Sequence, residues 1–459
     1  MHIEQMYTNC LAEAAYYVES DGEALIIDPI RETDPYIKKA RDRKVRIKYV
    51  LETHFHADFV SGHIDLARES GAEIVFGPMA DTTYKVHHAV DGEILHVGKL
   101  QIKVLHTPGH TPESTCYLLF DETGKEHCIF TGDTLFVGDV GRPDLLDGKI
   151  SKEDLAGMMF DSLRNKILPL NDDLIVYPAH GPGSACGKNI GKETWSTLGQ
   201  QRKTNYALQK MDRKAFIEVL TEGITAPPPY FFKDAEINKT GYAEIHSVIK
   251  KNLRPLTVAE MKSEIASGAL LLDTRAPEIF EKGFIPRSIN IGLEGSFAIW
   301  VGTLIDINTP LVLITEAGKE EECILRLARV GYEQVRGFLK GGIEAWKDSD
   351  LKLDCIESAS PEEFCSLIKD EEEVIIDVRK KSEYDACHVR GAKLITLSEL
   401  ESNIPFFDPG KKYLIHCAGG YRSMIAASLL KLHGISSFRN IHGGITKIKE
   451  AGAPLIENK

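Results

Sequence analysis

The run Thr53-His54-Phe55-His56-Ala57-Asp58-Phe59-Val60-Ser61-Gly62 constrains this chain more than any other stretch. It follows Ile47-Lys48-Tyr49-Val50-Leu51, an apolar, β-branched segment that reads as a buried strand, so its polar groups emerge together where that strand ends. Two imidazoles and a carboxylate this close are either a turn or a ligand cluster, and repetition downstream favours the cluster. Ile102-Lys103-Val104-Leu105 leads to Thr107-Pro108-Gly109-His110, Ile129-Phe130 to Thr131-Gly132-Asp133, and Leu174-Ile175-Val176-Tyr177 to Pro178-Ala179-His180. Four strands would then bring ligand-type residues to one sheet edge. Neutral imidazole and ionised carboxylate suit Zn, Fe or Mn, and small Gly and Pro neighbours let the backbone turn tightly around an ion.

This pattern resembles the metallo-β-lactamase superfamily, whose His-x-His-x-Asp-His, then His, Asp and His, covers residues 1–250 here. One departure matters. In the hydrolases of that superfamily the residue after the Asp is a His serving a second metal, whereas this chain has Phe59, whose ring donates no electron pair to a cation. The resemblance to the mononuclear branch, the persulfide dioxygenases, implies ligation by His54, His110 and Asp133. That set leaves open positions of the kind associated with non-haem iron, so one Fe(II) per chain is expected in preference to zinc. His56, Asp58 and His180 are expected around these ligands, either orienting them and moving protons or simply satisfying buried hydrogen bonds.

At 459 residues the chain is long enough for about three domains. With 43% hydrophobic and 27% charged residues it has an ordinary soluble globular composition, and a formal charge of -13 argues against nucleic acid or an anionic membrane as partner. The start, Met1-His2-Ile3-Glu4-Gln5-Met6, shows no secretory pattern, and no apolar run reaches the roughly 18 residues of a spanning helix. Nine scattered cysteines without zinc-finger spacing fit a reduced, cytoplasmic compartment.

Ala14–Val18 and Ala24–Asp28, joined at Asp21-Gly22, predict an antiparallel strand pair, and residues 33–43 predict a helix. Alternation of strands and helices up to residue 180 agrees with the αββα sandwich that the resemblance implies. Arg142, in a Gly-rich loop after Asp133, either holds the anionic end of a substrate or pairs with Asp139 or Asp144. The persulfide dioxygenases place an Arg in the matching loop against the thiol cosubstrate. Glutathione-using members carry a Tyr soon after the last His, which this chain lacks; Cys186 stands there instead. Flanked by Gly and Lys188, its thiol is either an inert core group or a carrier of sulfane sulfur with a lowered pKa. Residues 192–222 predict helix, and Ala226-Pro227-Pro228-Pro229 opens a hinge region over residues 225–254.

The remainder is duplicated. One copy has Leu270-Leu271-Leu272-Asp273-Thr274-Arg275, Leu311-Val312-Leu313-Ile314-Thr315 and Gly341-Gly342; the other has Val374-Ile375-Ile376-Asp377-Val378-Arg379, Tyr413-Leu414-Ile415-His416-Cys417 and Gly443-Gly444. Each predicts a small α/β domain with a mostly parallel sheet. In the second, Cys417-Ala418-Gly419-Gly420-Tyr421-Arg422 wraps a strand-end thiol beside a helix N-terminus, with Arg422 adding positive charge. This run resembles the rhodanese loop, Cys-x-x-Gly-x-Arg, which implies a Cys417 persulfide and substrate contacts from Ala418, Gly419, Gly420 and Tyr421. In the first copy Thr315 replaces the cysteine and acidic residues follow, so that copy is expected to be silent.

The whole therefore reads as a multidomain α/β and α+β protein: a metallo-β-lactamase-type domain over 1–250, a degenerate rhodanese-like domain over 251–352 and an active one over 353–459. The resemblances imply a persulfide dioxygenase that yields sulfite, joined to a sulfurtransferase that converts sulfite to thiosulfate. Small persulfides, O2, sulfite and thiosulfate are the expected partners, with self-association by analogy. The alternatives are a metal-dependent thioester hydrolase of the glyoxalase II type and a non-catalytic sulfur carrier.

Overall fold

The structure is a computed structural model that describes residues 1–145, 150–224, 226–369 and 373–457. Two compact units emerge, one of Met1–Val248 with Leu325–Tyr332, the other of Ile249–Ile324 with Glu333–Lys459.

The first unit is built on two six-stranded sheets. Strands β1 (His2–Thr8), β2 (Glu13–Ser20), β3 (Glu23–Ile27), β4 (Arg46–Glu52), β5 (Glu73–Phe76) and β6 (His87–His88) lie in that order in one sheet. In the other, β7 (Ile94–Val97), β8 (Leu100–His106), β9 (Thr115–Phe120), β10 (Glu126–Gly132), β11 (Ile175–Pro178) and β12 (Ser196–Thr197) also follow chain order. The β2–β3 hairpin turns at Asp21 and Gly22, both at positive φ (48° and 82°), which is the backbone that a tight two-residue turn demands. Tyr16, Leu25, Leu51 and Val75 of the first sheet meet Val104, Tyr117, Leu119 and Phe130 of the second in one apolar core. This layering is why each strand alternates between two buried faces.

Helices cover the outer faces. Helix α1 (Asp34–Arg43) and α2 (His63–Ser70) pack Tyr36, Ala40 and Leu66 onto the outside of the first sheet. Helices α3 (Lys152–Ser162) and α5 (Arg213–Thr221) pack Met159 and Phe216 onto the second. The predicted helix over 192–222 is broken into β12, α4 (Leu198–Thr204), a short 3-10 turn and α5. Side-chain caps from Thr197, Asn205 and Asp212 start each piece anew, which explains the interruption.

The boundary between the two units, Val248 to Ile249, falls within the hinge expected over 225–254, but much of that stretch is helical; Thr225 itself lies outside the described residues. The proline run ends at α6 (Phe231–Thr240), which buries Phe231, Asp234 and Asn238 against the first unit. Aromatic and amide groups that read as linker are packing groups.

Two all-parallel five-stranded sheets make up the second unit. Strands Pro255–Leu256, Val335–Leu339, Leu311–Ile314, Leu270–Asp273 and Ile289–Asn290 lie side by side in that order. Ser358–Ala359, Phe438–Ile441, Lys412–His416, Glu373–Asp377 and Lys393–Leu394 repeat the arrangement. Each copy also buries the same ion pair, Asp273 with Arg275 and Asp377 with Arg379, both at 2.6 Å.

Candidate functional site

His54 lies just beyond β4 of the first sheet, while His110, Asp133 and His180 follow β8, β10 and β11 of the second. The ligand-type residues thus converge from the facing ends of two sheets, not from one sheet edge as their repeated layout suggests. A strand-end rule fixes where a residue emerges but not which sheet carries it.

His54, His110 and Asp133 are buried with ligand atoms within 4.8 Å of one another. Asp133 Oδ2 stands 3.4 Å from His110 Nε2 and 3.9 Å from His54 Nε2, and none of these three atoms has a hydrogen-bond partner. Donors sharing one cation at metal–ligand distances near 2.1 Å are separated by roughly 3 to 3.5 Å, so the set fits a metal ion with little movement. The other ring nitrogens are all engaged. His54 Nδ1 lies 2.9 Å from Thr53 Oγ1, which donates to Asp28 Oδ2 at 2.8 Å. Because that hydroxyl gives its proton to Asp28, it accepts from Nδ1–H, which leaves Nε2 bare. His110 Nδ1 donates in the same way to the carbonyl of Arg142, 2.8 Å away.

Two glycines allow this close approach. Gly132 adopts φ 51°, and a Cβ there would meet Thr53 Oγ1 at 2.5 Å; at Gly141 a Cβ would lie 2.3 Å from the Asp133 carbonyl oxygen and 2.8 Å from His110 Nδ1. Burial opposes ionisation of Asp133, but the charge and hydrogen bond of protonated His180 hold its carboxyl far below the usual carboxylate range. Burial keeps His54 and His110 neutral, the form that ligates.

His180 bridges two carboxylates, with Nδ1 2.7 Å from Asp133 Oδ1 and Nε2 2.9 Å from Asp58 Oδ2. Burial works against its protonation, yet Asp133 and Asp58 together push its pKa up. His56 turns instead toward Asp28 and Glu52, at 3.1 and 3.5 Å, and Phe59 packs against its ring, tilted by 33° with centroids 4.4 Å apart.

Cys186 is buried beside Asp58 and His180. Burial, and after it the charges of Asp58 and Asp133, push the thiol up. Lys188 gives no help, because its Nζ donates to the carbonyls of Val219 and Glu222. The Arg142 guanidinium grips Asp144 at 2.7 and 2.8 Å and donates to Ala185 O.

In the second rhodanese-like copy, Cys417 sits at the end of strand Lys412–His416, and its Sγ accepts from Gly420 N at 3.1 Å. Ala418 and Gly419 complete the loop, and helix Tyr421–Leu432 starts immediately afterwards. Arg422 is held bidentately by Glu383 at 2.6 and 2.8 Å, so its charge is already partnered. Tyr421 Oη donates to Gly292 O of the first copy at 2.8 Å. The corresponding strand end of that first copy carries Thr315 and Glu316 in place of a thiol.

Residues 8–180 match the family model for the metallo-beta-lactamase superfamily, and residues 257–349 and 360–451 match that for the rhodanese-like domain. A solved metallo-beta-lactamase from Staphylococcus aureus subsp. aureus COL is 33% identical, with a TM-score of 0.66 over 74% of this chain and 98% of its own. The chain belongs to the metallo-beta-lactamase superfamily. Curated superfamily relatives include a probable hydroxyacylglutathione hydrolase of Schizosaccharomyces pombe, 32% identical over 35% of this chain and 60% of its own length. The mitochondrial persulfide dioxygenase of Homo sapiens is 31% identical over 34% of this chain and 59% of its own. The chain spans less than two thirds of the length of either relative.

The superfamily motif loop has a support that no motif announces. Asn238 of α6 donates to the carbonyls of His56 and Phe59, both at 2.8 Å, and accepts from Ser61 N at 2.9 Å. Only the helical spacing of buried groups across 231–240 hints at it. Asp28 is a second such support, and its φ of 51° beside Pro29 is the local signal. Among the described residues no helix is long and apolar enough to cross a membrane.

Proposed function

We propose that the first domain is a persulfide dioxygenase with one Fe(II), and that the last is a sulfurtransferase working through Cys417. A small persulfide, O2 and water would give the free thiol, sulfite and two protons. Cys417, having taken sulfane sulfur from a second persulfide, would pass it to sulfite as thiosulfate. The observation that carries this reading is the trio of bare, buried donors His54 Nε2, His110 Nε2 and Asp133 Oδ2, with Phe59 where a further imidazole would serve a second hydrolytic metal.

His54, His110 and Asp133 would hold the iron, which would supply the oxygen chemistry. The chain's own groups do the rest. Thr53 and the Arg142 carbonyl fix the tautomers of His54 and His110, and burial keeps bulk water from the pocket. His180, protonated between Asp133 and Asp58, would deliver a proton to the departing thiolate. At the other site, the Gly420 amide stabilises negative charge on Cys417 sulfur, and Arg422 meets an anionic acceptor once it parts from Glu383.

The test is turnover of protein purified without added metal. Persulfide-dependent oxygen uptake that scales with iron content and disappears in His110→Ala supports the reading; persulfide-independent uptake overturns it. The relationship to hydroxyacylglutathione hydrolases, with Asp58 and His180 retained, favours thioester hydrolysis as a second reading. Thioester turnover without oxygen would establish that one.

A further inference from the structure

The motif loop is fastened at more than the Asn238 clamp. Between the Phe59 carbonyl and the Ser61 amide that Asn238 holds, the Val60 amide donates to the carbonyl of Arg329 at 2.6 Å. Val60 is fully buried, so this bond is made away from water. Its acceptor stands just past helix Glu320–Ala328, in the stretch Leu325–Tyr332, which packs as part of the first unit although the chain on either side of it folds with the second. In the copy with Cys417, the corresponding helix Tyr421–Leu432 presents its N-terminus to the thiol. In the copy with Thr315, the other end of the helix is the one put to use.

The Arg329 side chain holds that carbonyl in place. Its Nε donates to both Glu32 oxygens at 2.8 Å, Nη2 donates to Glu32 Oε1 as well, and Nη1 lies 3.2 Å from Cys10 Sγ. The two charged side chains are 297 positions apart in sequence and only 13% and 14% exposed. Burial opposes the guanidinium's charge, and the hydrogen bonds to Glu32 more than restore it, pushing its pKa up. Both loops that Arg329 grips also touch the site. The turn carrying Glu32 accepts from Ser61 Oγ at 2.9 Å and Gly62 N at 2.8 Å through the Pro29 carbonyl. The turn carrying Cys10 accepts from Gly181 N, next to His180, through the Ala12 carbonyl at 2.9 Å. One side chain and its own carbonyl thus join three loops around the donors.

We propose that Arg329 is a positioning residue of the metal centre: it sets the path of the loop that bears His54 and Asp58. The stretch of chain that delivers it comes from the copy whose strand end lacks a thiol, which gives that copy a task in the first domain's chemistry. The inference rests on the metal-binding part of the proposed function and is independent of which reaction follows. Lysine cannot take the place of this arginine, because a single ammonium does not reproduce a fork that spans a carboxylate and a sulfur.

Full-length Arg329→Met, Arg329→Lys and Glu32→Gln, compared with the unaltered protein, test it. Hydrogen exchange of peptides that contain Val60, read by mass spectrometry, is expected to quicken about tenfold in Arg329→Met and Glu32→Gln, with partial protection regained in Arg329→Lys. Anaerobic titration of metal-free protein with Co(II) is expected to give visible absorption bands that are absent from His110→Ala. In Arg329→Met and Glu32→Gln these bands shift and affinity falls about fivefold. A residue that only stabilised the fold would lower the urea midpoint and leave the bands and affinity of the folded protein as they were. That result, or unchanged exchange at Val60, overturns the proposal. Should the unaltered protein take up no cobalt, the metal reading fails and exchange alone decides on Arg329. Should Arg329→Met fail to fold, Glu32→Gln, which keeps the side-chain shape, carries both readouts.

Discussion

Thr53 determines which nitrogen of His54 faces the pocket. Its hydroxyl donates to Asp28 and so accepts from Nδ1, an arrangement that valine cannot reproduce. Thr53→Val is expected to keep the fold and lower cation affinity about 10- to 100-fold, measured by competition with a chromophoric chelator. Asn238 serves the same loop from α6. Asn238→Ala leaves the carbonyls of His56 and Phe59 and the amide of Ser61 unpaired in a dry interior. A loss of about 3 kcal/mol is expected, read from the urea unfolding transition of the first domain. At this scale the chemistry-bearing side chains were legible and their supports were not. His54, His110 and Asp133 advertise themselves at strand ends, whereas the amide that clamps their loop lies nearly two hundred residues on, inside a stretch that reads as linker. Lys188, the neighbour of Cys186 in sequence, points to α5 in space.

Elements matter here through how closely they approach one another. The turn after β10 brings Gly141 against both the Asp133 carbonyl and the His110 ring. Gly141→Ala forces them apart and is expected to abolish metal uptake by the first domain while sulfur transfer through Cys417 continues, as metal analysis and a sulfurtransferase assay on the same preparation would show. Hydrophobic alternation revealed most strands and the duplicated parallel sheets, because buried strands carry their pattern locally. Which sheet each strand joins depends on long-range pairing, so the meeting of β4 with β8, β10 and β11 across two sheets needed three dimensions. The helical break at Asn205 escaped notice because capping residues look polar and ordinary until the turn they start is seen.

For the whole molecule, the proposed function predicts separable products. Cys417→Ser is expected to abolish thiosulfate formation and let sulfite accumulate, with persulfide-driven oxygen consumption unchanged; ion chromatography of the two anions checks this. Equal loss of both products would show that the two activities are obligatorily linked. The rhodanese-like copy that carries Thr315 bears on how the one that carries Cys417 can be isolated. Its Gly292 carbonyl receives the Tyr421 hydroxyl, and its Asn290 amide donates to Ser428 on the helix that follows Cys417. A fragment that began at residue 353 would leave that helix without both of these partners, so the smallest fragment that keeps them starts ahead of the first copy.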